Sequence, residues 1–388
     1  MYESEIESFR AEVMQLNDYI ADNPETGSEE FKASEAIVTL LRKHEIDVEF
    51  PFNDMDTAFR GTINRGKSKK FAILAEYDAL RGLGHACGHC ASGSISVFAA
   101  LILNELRDSI DAQIDIIGTP DEETKGGKVY MVKDGVFNDY DAAIMIHMFN
   151  MNAISMPFLA LDSYEYIFYG APAHASASPW EGRNALNALR LAFDAMDMMR
   201  QHVTEDVRIH GYISEGGAAA NIVPDRTRAE FTFRARERDT LDDVVKWAHD
   251  IGEAAAKATR TSVEINRLGE KYDNMTEKET GSRLLEEIYG KLNLPLVPTD
   301  SAPKGSSDIG NVDSVIPAFH PIISIGKDFG VHTREFAEEM KNEGTHNAIE
   351  QGAQIITEFI KTLSERDDLL DKIKQEHQQN WKKYLIGM

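Results

Sequence analysis

Two short runs carry the residue types that do chemistry. In GHACGHC, residues 84–90, Cys87 and His89 stand two apart as candidate soft metal ligands. In TPDEETKGG, residues 119–127, Glu122 and Glu123 are adjacent carboxylates. Neighbouring side chains on an extended backbone point to opposite sides, so one carboxylate can hold a metal while the other handles protons. Together the runs read as the core of a metal-assisted hydrolase. Two single histidines extend the set. His147 follows the apolar run AAIMI and reads either as a satisfied core residue or as a ligand. His332, in GVHTREF, falls on a loop beyond another apolar run. Cys, His and Glu donors suit a borderline-soft ion such as zinc.

Duller readings exist for each motif. Cys87-Gly-His-Cys90 also spells a thiol redox pair, which belongs in a small thioredoxin-like unit with a helix N-terminus. A closed structural zinc site needs four ligands, and no second C-x-x-C is present. Paired glutamates in an acidic chain are usually solvated surface. Glu122 and Glu123, however, follow IDIIGTP, a buried-strand pattern ending in a turn proline, which places them where α/β sites collect.

The elements that must position these residues alternate along 388 residues, 42% of them apolar, a length that predicts two domains. Helical spacing covers 4–22 and 30–44. DVEFPF, TAFRGTINR, KFAILAEY, AQIDIIGTP and DAAIMIHM read as strands, with the helical ASGSISVFAALILNEL before the fourth. An α/β sandwich is expected, with its working loops at the strand ends. From Asp162 the order becomes strand-helix-strand-strand-helix-strand over about 110 residues, which suits an inserted ferredoxin-like α+β domain. A helix near 280–292, the SSDIGN turn, the apolar run VIPAFHPIISIG, a helix from about His346 to Leu363 and a closing amphipathic helix complete the first domain. The expected boundaries are 1–161, 162–272 and 273–388.

Composition narrows the class. Sixty-five acidic against 41 basic residues give a net charge of −24, which argues against nucleic acid or an anionic membrane surface as partner. The acidic start, MYESEIESFRAEVMQLNDYIADNPE, lacks the pattern of a signal peptide, and no stretch has the ~18 apolar residues of a membrane span. A cytoplasmic protein is expected, and Cys87 and Cys90 as the sole cysteines fit a reducing compartment.

Read together, NPETGSEE, EYDALRGLGHACGHC, GTPDEE, GAPAHASASPWEGRNAL, EGGAAANIVPDRTRAEFTFRAR, SSDIGNV, PIISIG and HTREFAE resemble one family across nearly the whole chain. It is the metal-dependent family of aminoacylases, carboxypeptidases, indoleacetyl-amino-acid hydrolases and aminobenzoyl-glutamate hydrolases (metallopeptidase family twenty, amidohydrolase branch). The resemblance implies a zinc-exopeptidase-like α/β catalytic domain with an inserted α+β lid and dimerisation domain. It implies hydrolysis of amide bonds in N-acyl or N-aroyl amino acids and small peptides, with two divalent ions, zinc first and manganese or cobalt as alternatives. Cys87 would bridge them, His89, His147 and Glu123 would be ligands, and His332 the remote ligand. Glu122 would be the general base toward a metal-bound water, with Asp78 steadying the ligands. In the inserted domain His174 would stabilise the oxyanion in a partner subunit's site and Asn221 would contact substrate, so the enzyme would be at least a homodimer. His320 is a rival for the last ligand or faces substrate. The chain departs from the branch at Cys90, where Asn or Asp is usual, and at Arg81, where Pro is usual. Glu76 stands where the peptidase branches have the histidine of HxD. A second class of reading is a binding or scaffold protein that kept the fold and lost catalysis, against which the intact Glu122 and ligand set argue.

Overall fold

The computed structural model describes residues 1–299 and 304–385. Its first stretch runs α1 (Glu3–Asp22), α2 (Phe31–Lys43), β1 (Asp47–Glu49), β2 (Phe59–Ile63), β3 (Lys70–Ala75), α3 (His89–Glu105), β4 (Gln113–Gly118), α4 (Gly127–Lys133), β5 (Ala142–Ile144) and β6 (His147–Phe149). Then come β7 (Ala160–Tyr169), α5 (Ala185–Met199), β8 (Arg208–Glu215), β9 (Arg226–Ala235), α6 (Arg238–Thr259) and β10 (Ser262–Arg267). The last stretch holds α7 (Glu279–Lys291), α8 (Ile309–Asp313), β11 (Ala318–Phe319), β12 (Ile322–Ser324), α9 (Arg334–Glu338), α10 (Glu343–Glu365) and α11 (Asp367–Leu385). Two compact units result, Met1–Phe158 with Met275–Met388, and Leu159–Asn274.

The larger unit is built on a mixed sheet of order β1-β2-β4-β3-β5-β11 among the described residues. Strands β4, β3, β5 and β11 run parallel, so their carboxyl ends meet at one edge. Side chains alternate across it. On β3, Phe71, Ile73 and Ala75 enter the main core, while Ala72 and Leu74 enter a second core on the other face. Helix α3 fills the main core against α1 and α10, and its residues from His89 to Leu103 are all buried, as its apolar composition requires.

The smaller unit is an antiparallel sheet of order β10-β7-β9-β8 with α5 and α6 packed against it. Strand β9 alternates buried and half-buried positions along its length, the pattern of a sheet with one covered face. No helix among the described residues is long and apolar enough to cross a membrane.

One expectation needs correcting. DAAIMIHM is not a single strand: β5 stays in the main sheet, whereas β6 pairs with β12 in a separate two-stranded sheet. The apolar run VIPAFHPIISIG divides at the same level, into β11 and β12. The cause is Pro321, which has no N–H for the ladder; its carbonyl accepts from His147 N at 3.0 Å, and pairing resumes beyond it. His147 therefore opens β6 instead of closing β5.

Candidate metal centre

Each candidate donor of the larger unit sits just past an element that fixes it. β3 delivers Glu76 and Asp78, β4 delivers Glu122 and Glu123, and β5 and β11 lead to His147 and His320 at the same sheet edge. Between β3 and α3, Gly88 takes φ 85°, and a Cβ there would lie 2.9 Å from Met148 Cβ and 3.1 Å from the Phe336 ring. Only glycine fits that turn, which sets Cys87 and His89 on either side of it. His332, also in the left-handed region at φ 65°, is tied down by its N–H donating to Ala86 O at 2.7 Å. That bond places a residue 245 positions later in the chain beside Cys87.

The loop carrying the two glutamates is held from behind by the NPETGSEE segment. Asp121 adopts φ 64°, its N–H donates to Glu30 Oε1 at 2.8 Å, and its carboxylate accepts from Ser28 Oγ and Thr124 Oγ1. Gly27 allows this approach, since a Cβ there would collide with Asp121 Oδ1. Glu30 is itself buried and also accepts from Thr57 Oγ1 at 2.9 Å.

The donors converge in four groupings among the described residues: one joins His89, Glu122 and Glu123, another Glu76, Glu122 and Asp308, and two sets share a cysteine. Cys87 Sγ, His89 and His147 offer ligand atoms all within 4.8 Å of one another, as do Cys87, Glu123 and His332. Cys87 Sγ is 3.5 Å from His147 Nε2, and His332 Nε2 is 3.6 Å from Glu123 Oε1. Two nitrogen or oxygen donors on one tetrahedral ion are separated by about 3.3–3.4 Å, and a sulfur–nitrogen pair by about 3.5 Å. The ring partners fit as well. His89 Nδ1 donates to Asp78 Oδ1 at 2.8 Å and His147 Nδ1 to Met148 O at 2.7 Å, so each ring turns Nε2 toward the shared space. Asp78 Oδ2 in turn accepts from Glu123 N at 2.9 Å, tying the two sets together. Buried His89 Nε2 and Glu123 Oε1 have no hydrogen-bond partner, which is costly unless a cation occupies the space they face.

Electrostatics agree. Burial pushes the Cys87 thiol far above its ordinary range, despite help from His89, so a thiolate here needs a cation. Burial, reinforced by the Glu76 and Asp308 carboxylates, likewise pushes Glu122 well above the usual carboxylate range. Burial, with His89 and His320 adding like charge, pushes His147 down to about 3, leaving its ring neutral and able to ligate. The site holds a buried network that sequence reasoning missed. Lys128 Nζ lies 2.5 Å from Glu76 Oε1 and 2.7 Å from Asp308 Oδ1, all three side chains being buried. Its one signal is a lysine at the first turn of a helix that follows the glutamate pair directly.

His320 belongs to neither donor set. Its ring stacks on His147 with centroids 5.4 Å apart and meets Phe158 edge-on at 4.7 Å. Cys90 points into the main core, and both cysteines are free thiols. His174 and Asn221 lie in the smaller unit, both exposed and side by side, with Ala175 N donating to Asn221 O at 3.0 Å. His174 Nδ1 is 3.3 Å from Ser176 N and 3.2 Å from Ala177 N, both donors, so the neutral ring carries its proton on Nε2.

Residues 53–362 match the sequence profile of the peptidase family M20/M25/M40. The chain belongs to that family. Membership makes it a hydrolase of the peptidase class. It is 37% identical over 279 residues to the Xaa-Arg dipeptidase of Mus musculus, an alignment covering 70% of this chain and 65% of the mouse protein, just under two thirds. To one of the p-aminobenzoyl-glutamate hydrolase polypeptides of Escherichia coli it is 26% identical over 457 residues, covering 96% of this chain and 93% of that one. Among solved structures, a Bacillus subtilis protein described as a dinuclear metal binding M20 peptidase superposes with a TM-score of 0.70. It is 18% identical and covers 91% of this chain and 99% of its own, and so shares the fold.

Proposed function

We propose that this M20 hydrolase is metal-dependent and cleaves the amide bond of small peptides and N-acyl or N-aroyl amino acids. The observation that carries the reading is the convergence of Cys87, His89, His147, Glu123 and His332 at ligand-to-ligand spacings, beside the half-buried carboxylate of Glu122. Two divalent ions held by these residues, zinc being the best match to the S, N and O donors, would supply the Lewis acidity that activates water and polarises the carbonyl. Glu122 takes the proton of the attacking water and returns it to the leaving amine. Its raised proton affinity suits both halves of that task. Asp78 orients His89 and, through the Glu123 N–H, the loop of the base. His174, with its proton on Nε2, donates to the developing oxyanion, and Asn221 beside it contacts substrate.

The inserted unit is the lid and dimerisation domain in this reading. Its outer strand β8 is an edge whose Tyr212 and Ile213 are exposed, which supports pairing with a second copy. Among substrates, dipeptides ending in a basic residue come first, because the mouse relative is a Xaa-Arg dipeptidase and a net charge of −24 attracts cationic ligands. Aminobenzoyl-glutamate, an anion, comes second.

The test is a chelated protein reloaded with zinc, manganese or cobalt and offered Xaa-Arg and Xaa-Lys dipeptides, aminobenzoyl-glutamate and acyl amino acids. Activity should vanish on chelation and return with metal. Hydrolysis that survives complete metal removal would refute the reading.

A further inference from the structure

Glu122 faces two ways. Its carboxylate is grouped with His89 and Glu123 on one side and with Glu76 and Asp308 on the other, the donor atoms of each grouping lying within 4.8 Å of one another. The second grouping is three carboxylates at close quarters, which repel one another without a cation, and Lys128 supplies one. Its Nζ is 2.5 Å from Glu76 Oε1 and 2.7 Å from Asp308 Oδ1, and all three of these side chains are at most 1% exposed. Burial alone would lower the proton affinity of this lysine, but the Asp308, Glu76 and Glu122 charges raise it above the ordinary range, so Nζ is an ammonium.

The chain brings that ammonium behind the base by folding back on itself. Gly126 takes φ 73° and donates its N–H to Asp121 O at 2.8 Å, and Gly127 sits so close to Pro120 that a Cβ would lie 2.0 Å from Pro120 O. Helix α4 therefore starts against the loop that leaves β4, and Lys128 in its first turn returns to Glu122. Asp308 grips the lysine at both ends, Oδ2 accepting its backbone N–H at 3.0 Å and Oδ1 accepting from Nζ. With backbone and tip both fixed, Nζ cannot swing away.

Resting on the reading of Glu122 as the base, we propose that Lys128 is a positioning residue for it. An ammonium has three N–H donors. Glu76 and Asp308 take two, and the third holds one oxygen of Glu122, leaving the other toward His89 and Glu123, where the attacking water is deprotonated. A glutamate side chain turns about several torsions, and the charge of Glu122 vanishes and returns in each turnover. Its rear oxygen accepts from Nζ in either state, so an ammonium pinned from two other directions keeps the working oxygen in register throughout. Glu76 and Asp308 act one step further back, by seating the lysine.

The experiment is steady-state kinetics with metal analysis of the full-length, zinc-loaded protein. Lys128→Met combined with Asp308→Asn removes the ammonium and one of its counter-charges, so the buried net charge is unchanged. That double variant should hold zinc as the wild type does and lose roughly tenfold to a hundredfold in kcat, with KM little changed. Wild-type kcat in the double variant, with Glu122→Gln alone inactive, would show that Lys128 only balances charge in the fold, and the base reading would stand without it. Loss of zinc together with kcat would place Lys128 behind the metal ligands instead of the base and would also overturn the proposal. If Glu122→Gln itself keeps wild-type kcat, both readings fall. Should the double variant fail to fold, as judged by circular dichroism, nitrogen NMR of isotope-labelled lysines decides. A slowly exchanging lysine Nζ signal should move between the wild type and Glu122→Gln, and the absence of any such movement overturns the contact.

Discussion

The carboxylate of Glu30, at the start of α2, accepts the backbone N–H of Asp121 at 2.8 Å and so anchors the residue immediately before Glu122. This bond has a pH signature. Burial, with the Asp78 charge adding to it, pushes Glu30 from its ordinary 4.5 up to about 7. A raised carboxyl contributes stability that is fully present below about pH 4.5 and is lost as pH rises through 7. Glu30→Gln, which cannot ionise, should therefore gain on the wild type by a few kcal/mol between pH 4.5 and 8. Urea denaturation of the metal-free proteins at several pH values checks this, and a gap that does not change with pH would refute it.

Glu122 and Glu123 should separate by phenotype. With Glu122 acting on protons and Glu123 on metal, Glu122→Gln should lose roughly 10²–10⁴-fold in kcat while keeping both ions, whereas Glu123→Gln should lose an ion. Metal analysis alongside kinetics decides. Equal metal loss in the two variants would end the assignment of Glu122 as base.

Cys87 should change reactivity with metal. A thiolate between two cations is shielded, and after chelation it becomes a thiol open to alkylation under mildly denaturing conditions. Cys90 in the core serves as the internal control for unfolding. Equal labelling rates at Cys87 with and without metal would show that it is not a ligand.

The role of His174 across an interface is testable by mixing. His174→Ala should abolish turnover without unfolding or metal loss, because its part is charge stabilisation in the transition state. Heterodimers of His174→Ala and Glu122→Gln subunits should contain one site spoiled twice and one intact, recovering up to about half of wild-type activity per dimer. Exchange of subunits without recovery would place His174 in its own chain's chemistry or outside it.

What the sequence made legible follows from local physics. Period-two and period-3.6 patterns located β3, β4, β9, α3 and α10, and the expected family and fold class hold. The split of the 141–148 run was not legible, because its cause, Pro321, lies between β11 and β12, strands that pair with the run only after folding. The Glu76–Lys128–Asp308 network escaped for the same reason: 180 residues separate Lys128 from Asp308, and no periodicity reports a contact between a helix start and a distant turn. Lys128 on its own reads as one more solvated lysine.

The burial of α3 on every side governs how the chain emerges from the ribosome. Its cover includes α10, whose Gly352 is so close that a Cβ would meet Ile95 at 2.8 Å. α3 ends at Glu105 and α10 begins at Glu343, so at about 5–20 residues per second the most apolar helix waits roughly 10–50 s for that partner. Leu159–Asn274 is contiguous and is complete long before then. Synthesis thus yields a finished insert hanging from an unfinished, sticky scaffold, and chains truncated before α10 should keep the insert folded yet aggregate through α3.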